Sequence, residues 1–397
     1  MAVQLQQPGG ATCAAEGKPQ PVIRPVEPAD GPALHGLLTA CLLDVLADRD
    51  RWLARWRWQC WDNPFRQGRP AGWVIVDGDN IVGHLGAVYL PLLIGDTRVT
   101  GVIGTDYAVS ADAAARGGSF VALELAQTLF ATCSDCLVMA TTANEKTAAV
   151  FGRFGCRPVG WTREFWRAPA TLAQQVRSCW GGRSRVIRRV LDSPVGSRLV
   201  EAVRRVPAIP IPGRCWLDAV GPDSRDDRGL LWQQVAALSR TAAGTPGRPD
   251  VVLAGDRSPT YLDWRYGRHP EREALRVLTV RGSEDGLVGV AIVFGERRPD
   301  RHIVYVEDIL VHPRWPDVVQ VLLCAALRWA SDCGADYLIT SPGRRSVRHL
   351  LWELGFENRA RNAPAVVVQS SPGTHHAARA LPDPLDDQIE FWHGIMF

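Results

Sequence analysis

A segment of small residues follows a predicted strand in the first half of the chain, and its residue types suit an anion. The residues that would hold this anion are Val109, Arg116, Gly117, Gly118, Ser119 and Phe120. Peptide N–H groups in the first turn of a helix, together with the helix dipole, favour a phosphate there. Glycines let the backbone come close, and the Arg116 guanidinium adds a charge-assisted hydrogen bond. The sequence therefore predicts a pyrophosphate site between this strand and the next helix.

Two nearby side chains are candidates for catalytic proton transfer. Asp106 lies on the strand that leads into the small-residue segment, where a carboxylate could accept a proton from a substrate. Asp308 occupies the matching place in a later segment that lacks the glycines, and this favours a shared structural role as the alternative. His84 lies between glycines on an earlier predicted strand and titrates near neutral pH. Its alternative is a buried or solvent-facing strand histidine without a part in catalysis.

The secondary-structure elements that would position these residues belong to a segment that is repeated in the sequence. Trp56-Arg57-Trp58 is matched about 200 residues later by Trp264-Arg265-Tyr266. Phe154-Gly155-Cys156 is matched in the same way by Leu354-Gly355-Phe356. The apolar spacing of the first copy predicts the order β-α-β-β-β-α-β-α-β, ending in a strand over 159–167. An antiparallel meander followed by βαβ units gives a mixed sheet with helices on both faces.

The chain of 397 residues is accordingly expected to divide into four parts. Residues 1–20 form a flexible leader, and residues 21–168 form the first α/β domain, which carries the pyrophosphate site. Residues 169–226 form a basic helical arm and a proline-rich linker. Residues 227–397 form a second α/β domain that lacks the glycine segment. The predicted fold class is α/β, with two mixed-sheet domains joined by the basic arm.

Composition limits the classes of partner and compartment. Hydrophobic residues make up 46% and charged residues 22% of the chain, and the net charge of +3 predicts no DNA partner. The lack of a secretory signal and of a long apolar run favours the cytoplasm, and the excess of arginine over lysine is typical of a GC-rich bacterial genome. In the stretch Arg183–Arg205 we expect a solvated helix face, with RNA or an anionic membrane surface as the alternative partner. The oligomeric state is left open.

A metal site is not expected. Cys133 and Cys136 have the CxxC spacing of many zinc sites, but no second cysteine pair and no pair of histidines accompanies them. We interpret the two thiols as packing at a helix end.

The order of elements and one further stretch resemble the GNAT acyltransferase superfamily, in its tandem-repeat branch and with a degenerate second copy. Asn144 and Gly155 have the spacing of the Asn-x6-Tyr-x3-Gly-Phe stretch of that superfamily, with Phe151 at the tyrosine position. The resemblance implies that Asn144 and Phe151 contact the cofactor, although Asn144 could instead cap the helix that follows it. The first position of the pyrophosphate loop is alanine in either plausible register, Ala114 or Ala115, where the superfamily has Gln or Arg.

The resemblance also implies a function. A GNAT-type enzyme transfers the acyl group of acetyl-CoA, or of another acyl-CoA, to an amine that attacks the thioester directly. Here the acceptor would be a small-molecule or carrier-linked amine, with Asp106 or His84 as the proton acceptor and no tyrosine at position 151 to protonate the thiolate. Two alternatives stay open, which are Fem-type aminoacyl transfer from tRNA and a non-catalytic tandem GNAT scaffold or sensor.

Overall fold

The computed structural model describes most of both predicted domains. The described residues are 21–42, 45, 47–117, 119–141, 143–170, 215–220, 225–243, 253–283, 286–298, 300–341, 345–360, 366–369 and 389–390. The predicted leader over 1–20 and most of the predicted basic arm lie outside these residues.

The first of two β-sheets is built mainly from the N-terminal half. Its strands are β1 (Val22–Pro25), β2 (Gly72–Asp77), β3 (Asn80–Ile94), β4 (Thr97–Val109), β5 (Leu137–Ala140), β6 (Cys156–Pro158), β9 (Leu253–Gly255), β15 (Val367–Gln369) and β16 (Ile389–Glu390). The main order is β1-β2-β3-β4-β5-β15-β6, and β9 pairs with both β3 and β16. Strands β1 to β4 are antiparallel, whereas β4 and β5 are parallel, so the sheet is mixed as predicted.

The second sheet is built mainly from the C-terminal half. Its strands are β7 (Glu164–Pro169), β8 (Cys215–Val220), β10 (Leu275–Gly282), β11 (Gly286–Arg298), β12 (Arg301–Val311), β13 (Tyr337–Thr340) and β14 (Glu357–Ala360). Their order is β14-β7-β13-β12-β11-β10-β8. The antiparallel meander β10-β11-β12 is followed by a parallel β12–β13 pair, as in the first sheet.

Helices cover the sheets and fill the space between them. The helices are α1 (Gly31–Cys41), α2 (Arg49–Trp56), α3 (Ala111–Gly117), α4 (Ser119–Thr132), α5 (Glu145–Gly152), α6 (Arg225–Ala243), α7 (Pro259–Leu262), α8 (Val318–Asp332) and α9 (Arg345–Glu353). Two π-helical turns, Arg57–Trp61 and Asp263–Gly267, directly follow α2 and α7. In the described residues, 3-10 turns lie at Pro28–Asp30, Gly160–Arg163 and Arg272–Ala274.

The alternation of side chains on the strands separates two faces of the first sheet. Trp73 and Leu85 pack with α4 and α5 on one face. Val74 and Val88 pack with α1 and α2 on the other face, in a cluster that also contains Val290 of the second sheet. Because strand neighbours point to opposite sides, one residue in two on β2 and β3 faces the space between the sheets.

The two sheets exchange their last strands, which the sequence analysis did not predict. The prediction that a strand over 159–167 closes the first sheet is wrong, because β7 pairs with β13 and β14 of the second sheet. In return, β15 inserts between β5 and β6 of the first sheet. Thr162 fixes this crossing, since its hydroxyl donates to the Val159 carbonyl at 2.6 Å and accepts from the Val366 N–H at 3.1 Å.

Candidate active site

The paired strands β4 and β5 separate part of the way along the first sheet. They are hydrogen-bonded in parallel register from Gly101 with Leu137 to Ile103 with Met139. Beyond Ile103, β4 continues to Val109 without β5 as a partner. This separation of β4 from β5 beyond Ile103, called the wedge below, leaves that stretch of β4 without β5 as a hydrogen-bonding partner.

A β-bulge interrupts β4 beside the wedge. His84 of β3 is opposite Ala108, but Gly86 is opposite Thr105, so β4 has one residue more than β3 between these pairs. Asp106 lies in this bulge and has a φ angle of 50°, in the left-handed region that few residues other than glycine adopt. Bulges of this kind redirect a side chain and often occur at functional sites.

The Asp106 carboxylate is half-buried and has no partner in the part of the chain that the structure describes. It forms no ion pair and accepts no hydrogen bond from the residues that the structure describes. Burial raises the pKa of Asp106 to about 6, and the positive charge of Arg55 acts in the opposite direction. A carboxylate with a pKa near the working pH is suited to accept a proton in a reaction.

Asp308, which the sequence aligns with Asp106, has a different environment. Its carboxylate receives two hydrogen bonds from the Arg257 guanidinium, at 2.7 and 2.8 Å, and a third from the Ile309 N–H at 2.9 Å. Asp308 therefore has the structural role that the sequence offered for both aspartates, while Asp106 has no such partner within the described ranges.

His84 supports the bulge from β3. Its side chain has no exposed surface, and Nδ1 lies 2.9 Å from the Asp106 carbonyl oxygen. A carbonyl only accepts, so Nδ1 carries the proton, and Nε2 is a buried acceptor without a partner among the described residues. Burial lowers the pKa of His84 to about 4, so the ring is neutral at pH 7. The ring holds the Asp106 backbone and does not reach the surface that a substrate would touch.

The prediction of a small-residue turn between β4 and the next helix is wrong, because most of this segment forms the helix α3. Ala111 to Ala115 is alanine-rich, and alanine has the highest helix propensity. The Ala114 N–H donates to the Ser110 carbonyl at 2.9 Å, and the Ala113 N–H to the Ser110 hydroxyl at 3.3 Å. Both alanines that were candidates for the first loop position, Ala114 and Ala115, therefore lie inside a helix.

The helix end that remains for an anion is the start of α4. Ser119 is its first residue, and the Phe120 side chain is 73% exposed. The Tyr107 hydroxyl donates to the Ala122 carbonyl, which ties the first turn of α4 to β4 beside the wedge. Of the other predicted pyrophosphate ligands, Gly118 and the side chains of Arg116 and Ser119 lie outside the described residues, while Val109 and Gly117 end β4 and α3.

Asn144 and Phe151, which the resemblance assigns to the cofactor, make contacts within the fold. The Asn144 side-chain oxygen accepts from the Thr147 N–H at 2.9 Å and caps α5, which is the alternative that the sequence left open. Phe151 is fully buried against Phe130, with ring centroids 5.4 Å apart, and it fills the space above Gly104. Contact of Asn144 or Phe151 with a cofactor stays a prediction.

The second sheet has a comparable separation of strands but a different helix start. Strands β12 and β13 pair only from Ile303 to Tyr305, after which β12 continues without β13. At the start of α8, the N–H groups of Val318, Val319 and Gln320 all donate to carbonyls of the preceding turn. These amides are therefore not available to an anion.

The space between the sheets holds charged residues that the sequence analysis missed. Arg55 on α2 lies close enough to Asp106, and to Glu307 at the bulge of β12, for its charge to oppose the rise in the pKa of both carboxyl groups. No distinguishing motif surrounds Arg55 or Glu307 in the sequence. The sequence analysis missed these residues because their proximity depends on long-range contacts between an N-terminal helix and strands of two different sheets.

Comparisons with known proteins identify the fold. No protein-family model matches the sequence, and no curated protein matches it in sequence. A GCN5-related N-acetyltransferase from Anabaena variabilis ATCC 29413 is similar in structure, with a TM-score of 0.50, 14% identity, and coverage of 88% of this chain and 72% of that chain. The Saccharomyces cerevisiae N-myristoyltransferase with bound myristoyl-CoA has a TM-score of 0.54 and 10% identity, and covers 98% of this chain and 94% of that chain.

These likenesses concern the fold. The chain has the fold of the GNAT superfamily, to which GCN5-related N-acetyltransferases and N-myristoyltransferases belong. The predicted fold class, α/β with two mixed sheets of the GNAT type, is confirmed. Within the described ranges, no helix is both long and apolar enough to cross a bilayer. Over the same ranges, histidine, cysteine and acidic side chains form no cluster of three suited to a metal ion.

Proposed function

We propose that the protein is an acyl-CoA-dependent N-acyltransferase that works at the wedge of the first sheet. The observation that carries this proposal is the Asp106 carboxylate, which lies in a β-bulge where β4 separates from β5 and has no partner among the residues described. The fold supports it, since similar solved structures include a GCN5-related N-acetyltransferase and an N-myristoyltransferase with bound myristoyl-CoA.

The acyl-CoA would lie with its pantetheine along the free edge of β4 and its diphosphate at the start of α4. The first-turn amides of α4 and its dipole favour the diphosphate. Peptide N–H groups of β4 that face the wedge have lost β5 as a partner, so they are available to the thioester oxygen as negative charge develops there. We assign no such site to the second sheet, because the α8 amides are already bonded.

The chemical step follows from the Asp106 carboxylate. An alkylamine is protonated at neutral pH, and this ammonium form must lose a proton before its nitrogen can attack. Asp106 accepts this proton, directly or through one water. The nitrogen then forms a bond to the carbonyl carbon and loses its second proton to solvent. The carbon–sulfur bond breaks, and the CoA thiolate leaves with the electron pair. Phe151 has no proton to give, so solvent protonates the thiolate.

The test is thioester cleavage in the presence of amines, followed by release of the CoA thiol. Acetyl-CoA and myristoyl-CoA bracket the acyl length, and Asp106→Asn is compared with Asp96→Asn, whose side chain is exposed in the β3–β4 turn. We expect Asp106→Asn to lower turnover about 100-fold or more and Asp96→Asn to leave it unchanged. A folded wild-type protein that binds neither acyl-CoA would overturn the proposal and favour a non-catalytic scaffold.

A further inference from the structure

The closed end of the wedge lies where β4 and β5 join, at the pair of Ile103 with Met139. Gly104 is the first residue of β4 beyond this pair. A Cβ atom at Gly104 would lie 2.8 Å from Phe151 Cζ and 3.3 Å from Leu129 Cδ2. Both distances are shorter than the optimal separation of two carbon atoms, so glycine lets these side chains approach the strand closely. On the face of the sheet that carries α4 and α5, the closed end is therefore filled.

Other aromatic rings hold Phe151 in this place. Its side chain has no exposed surface. Phe130 of α4 and Tyr107 of β4 both pack edge-to-face with it, with ring centroids 5.4 and 6.3 Å from the Phe151 centroid. The Tyr107 hydroxyl donates to the Ala122 carbonyl, so this ring is fixed in turn. A ring that is packed on several sides cannot move aside without loss of contacts.

The opposite face of the sheet is also filled at the closed end. Ile103 and Met139 are buried there in the cluster between the two sheets. Gly104 is buried as well, whereas Thr105 and Asp106, the next residues of β4, are half-buried. The accessible part of β4 in the wedge therefore stops at Gly104, and beyond it buried side chains of the described residues cover both faces.

In the proposed placement of the donor, the acyl group points to the closed end. The diphosphate lies at the start of α4, whose first turn is tied to Tyr107 near the end of β4. From there the pantetheine follows the free edge of β4 back toward Gly104 and passes Asp106 on the way. Because the thioester reacts beside Asp106, the acyl chain is the part of the donor nearest to Gly104 and Phe151.

We propose that Phe151 limits the acyl donor to short chains, so that acetyl-CoA is preferred and octanoyl-CoA is excluded. This inference rests on the proposed function and adds the acyl class of the donor. The fold alone leaves that class open, because similar structures include a GCN5-related N-acetyltransferase and an N-myristoyltransferase. An acetyl group ends at the methyl carbon next to the thioester carbonyl. A longer chain meets the Phe151 ring, and the insertion of extra methylene groups into a well-packed core is costly.

The test is a calorimetric titration with free CoA and with acetyl-, butanoyl-, octanoyl- and myristoyl-CoA, which needs no acceptor. The affinity for acetyl-CoA divided by the affinity for octanoyl-CoA, called the chain-length ratio below, should be about 10 or more in wild-type protein. Phe151→Ala removes the ring and leaves space, so its affinity for octanoyl-CoA should rise about 10-fold or more. Phe151→Leu keeps most of the buried volume and should shift the limit by a smaller factor, in favour of butanoyl-CoA.

Phe154→Ala is the matched control. Phe154 stacks on Phe130 with ring centroids 4.5 Å apart, so this variant loses the same ring from the same aromatic group. The atoms nearest to Gly104 belong to Phe151 and Leu129, and none of them to Phe154. Phe154→Ala should therefore keep the chain-length ratio of wild type. Thermal unfolding shows whether each variant is folded, and its affinity for free CoA shows whether the rest of the donor site is intact.

The outcomes separate the two proposals. Wild-type protein that binds octanoyl-CoA or myristoyl-CoA as tightly as acetyl-CoA overturns the inference. An unchanged chain-length ratio in folded Phe151→Ala, or in Phe151→Leu where the alanine variant does not fold, overturns it as well. In these cases the proposed function stands, because CoA and its thioesters still bind. If folded wild-type protein binds neither free CoA nor any acyl-CoA, the proposed function and the inference both fail.

Discussion

Trp58 and Trp264 hydrogen-bond to each other reciprocally. The Trp58 Nε1–H donates to the Trp264 carbonyl at 2.9 Å, and the Trp264 Nε1–H donates to the Trp58 carbonyl at 3.2 Å. Their rings stack with centroids 5.3 Å apart and an interplanar angle of 25°. Each tryptophan lies at the second position of its π-helical turn, Arg57–Trp61 or Asp263–Gly267. The structure therefore makes Trp264 equivalent to Trp58, and the sequence match of Trp264 with Trp56 is wrong by two residues.

This contact predicts that the two halves stabilise each other. Trp264→Phe removes an N–H donor and leaves the buried Trp58 carbonyl without its partner, which should cost about 1–3 kcal/mol of the free energy of unfolding. Trp216→Phe is the control, because Trp216 is 49% exposed on an edge strand and its replacement should cost about 0.5 kcal/mol or less. Urea unfolding measures both. Equal effects of the two variants would contradict the role of the pair.

Asp106 predicts the pH dependence of the reaction. The proposed base acts as a carboxylate, and burial raises its pKa to about 6, so kcat/KM should rise with pH through about pH 6 and then level. Initial rates from pH 5 to pH 8.5 measure this profile. In Asp106→Asn the residual activity should lack the rise. A wild-type profile that is flat between pH 5 and pH 7 would count against Asp106 as the base.

The same carboxylate should lower the stability of the fold at neutral pH. Its pKa in the folded protein lies above the ordinary value of 3.8, so the folded state holds its proton more tightly than the unfolded state. The cost of ionising it is therefore absent well below pH 4, grows between about pH 4 and pH 6, and is complete above this range. Asp106→Asn should stabilise the protein by about 1–2 kcal/mol at pH 7.5, after allowance for solvent screening, and by less at pH 4. Thermal unfolding at the two pH values decides this, and destabilisation at pH 7.5 would be the opposite result.

His84 should act through position and not through its own titration. His84→Phe removes the hydrogen bond to the Asp106 carbonyl, which should loosen the bulge and lower kcat more than acyl-CoA affinity. Because the pKa of His84 is lowered to about 4, the rise of activity near pH 6 should persist in the variant. Loss of that rise in His84→Phe, with Asp106 intact, would instead make His84 the titrating group.

The sequence predicted the fold where local patterns decide it. Alternating apolar residues on β2, β3 and β10, and the repeat of the meander, were sufficient for two mixed sheets. The exchange of β7 and β15 could not be predicted, because both are short and either sheet offers them an apolar face. Which sheet they join depends on contacts between residues about 200 positions apart, such as Thr162 with Val366.

The candidate site was only partly visible in the sequence. Asp106 was identified by its place before the small-residue segment, but its left-handed backbone and its bulge depend on the pairing of β3 with β4. The helix over Ala111–Gly117 has a local signal in the sequence, which is its run of alanines. The sequence analysis gave more weight to the glycines that follow and therefore predicted a turn. Arg55 gave no signal, since its environment comes from Phe294 and Glu271 of the other half.

The most direct test of the central claim is a calorimetric titration of the protein with acyl-CoA, in wild type and in Phe120→Asp. Phe120 is exposed in the first turn of α4, where an aspartate leaves the helix stable but repels a diphosphate. We predict that one acyl-CoA binds per chain, and that Phe120→Asp weakens its affinity about 10-fold or more. Leu230→Asp, on the exposed face of α6, should bind like wild type. Unchanged affinity in Phe120→Asp, or no binding by the folded wild-type protein, would contradict a diphosphate site at α4.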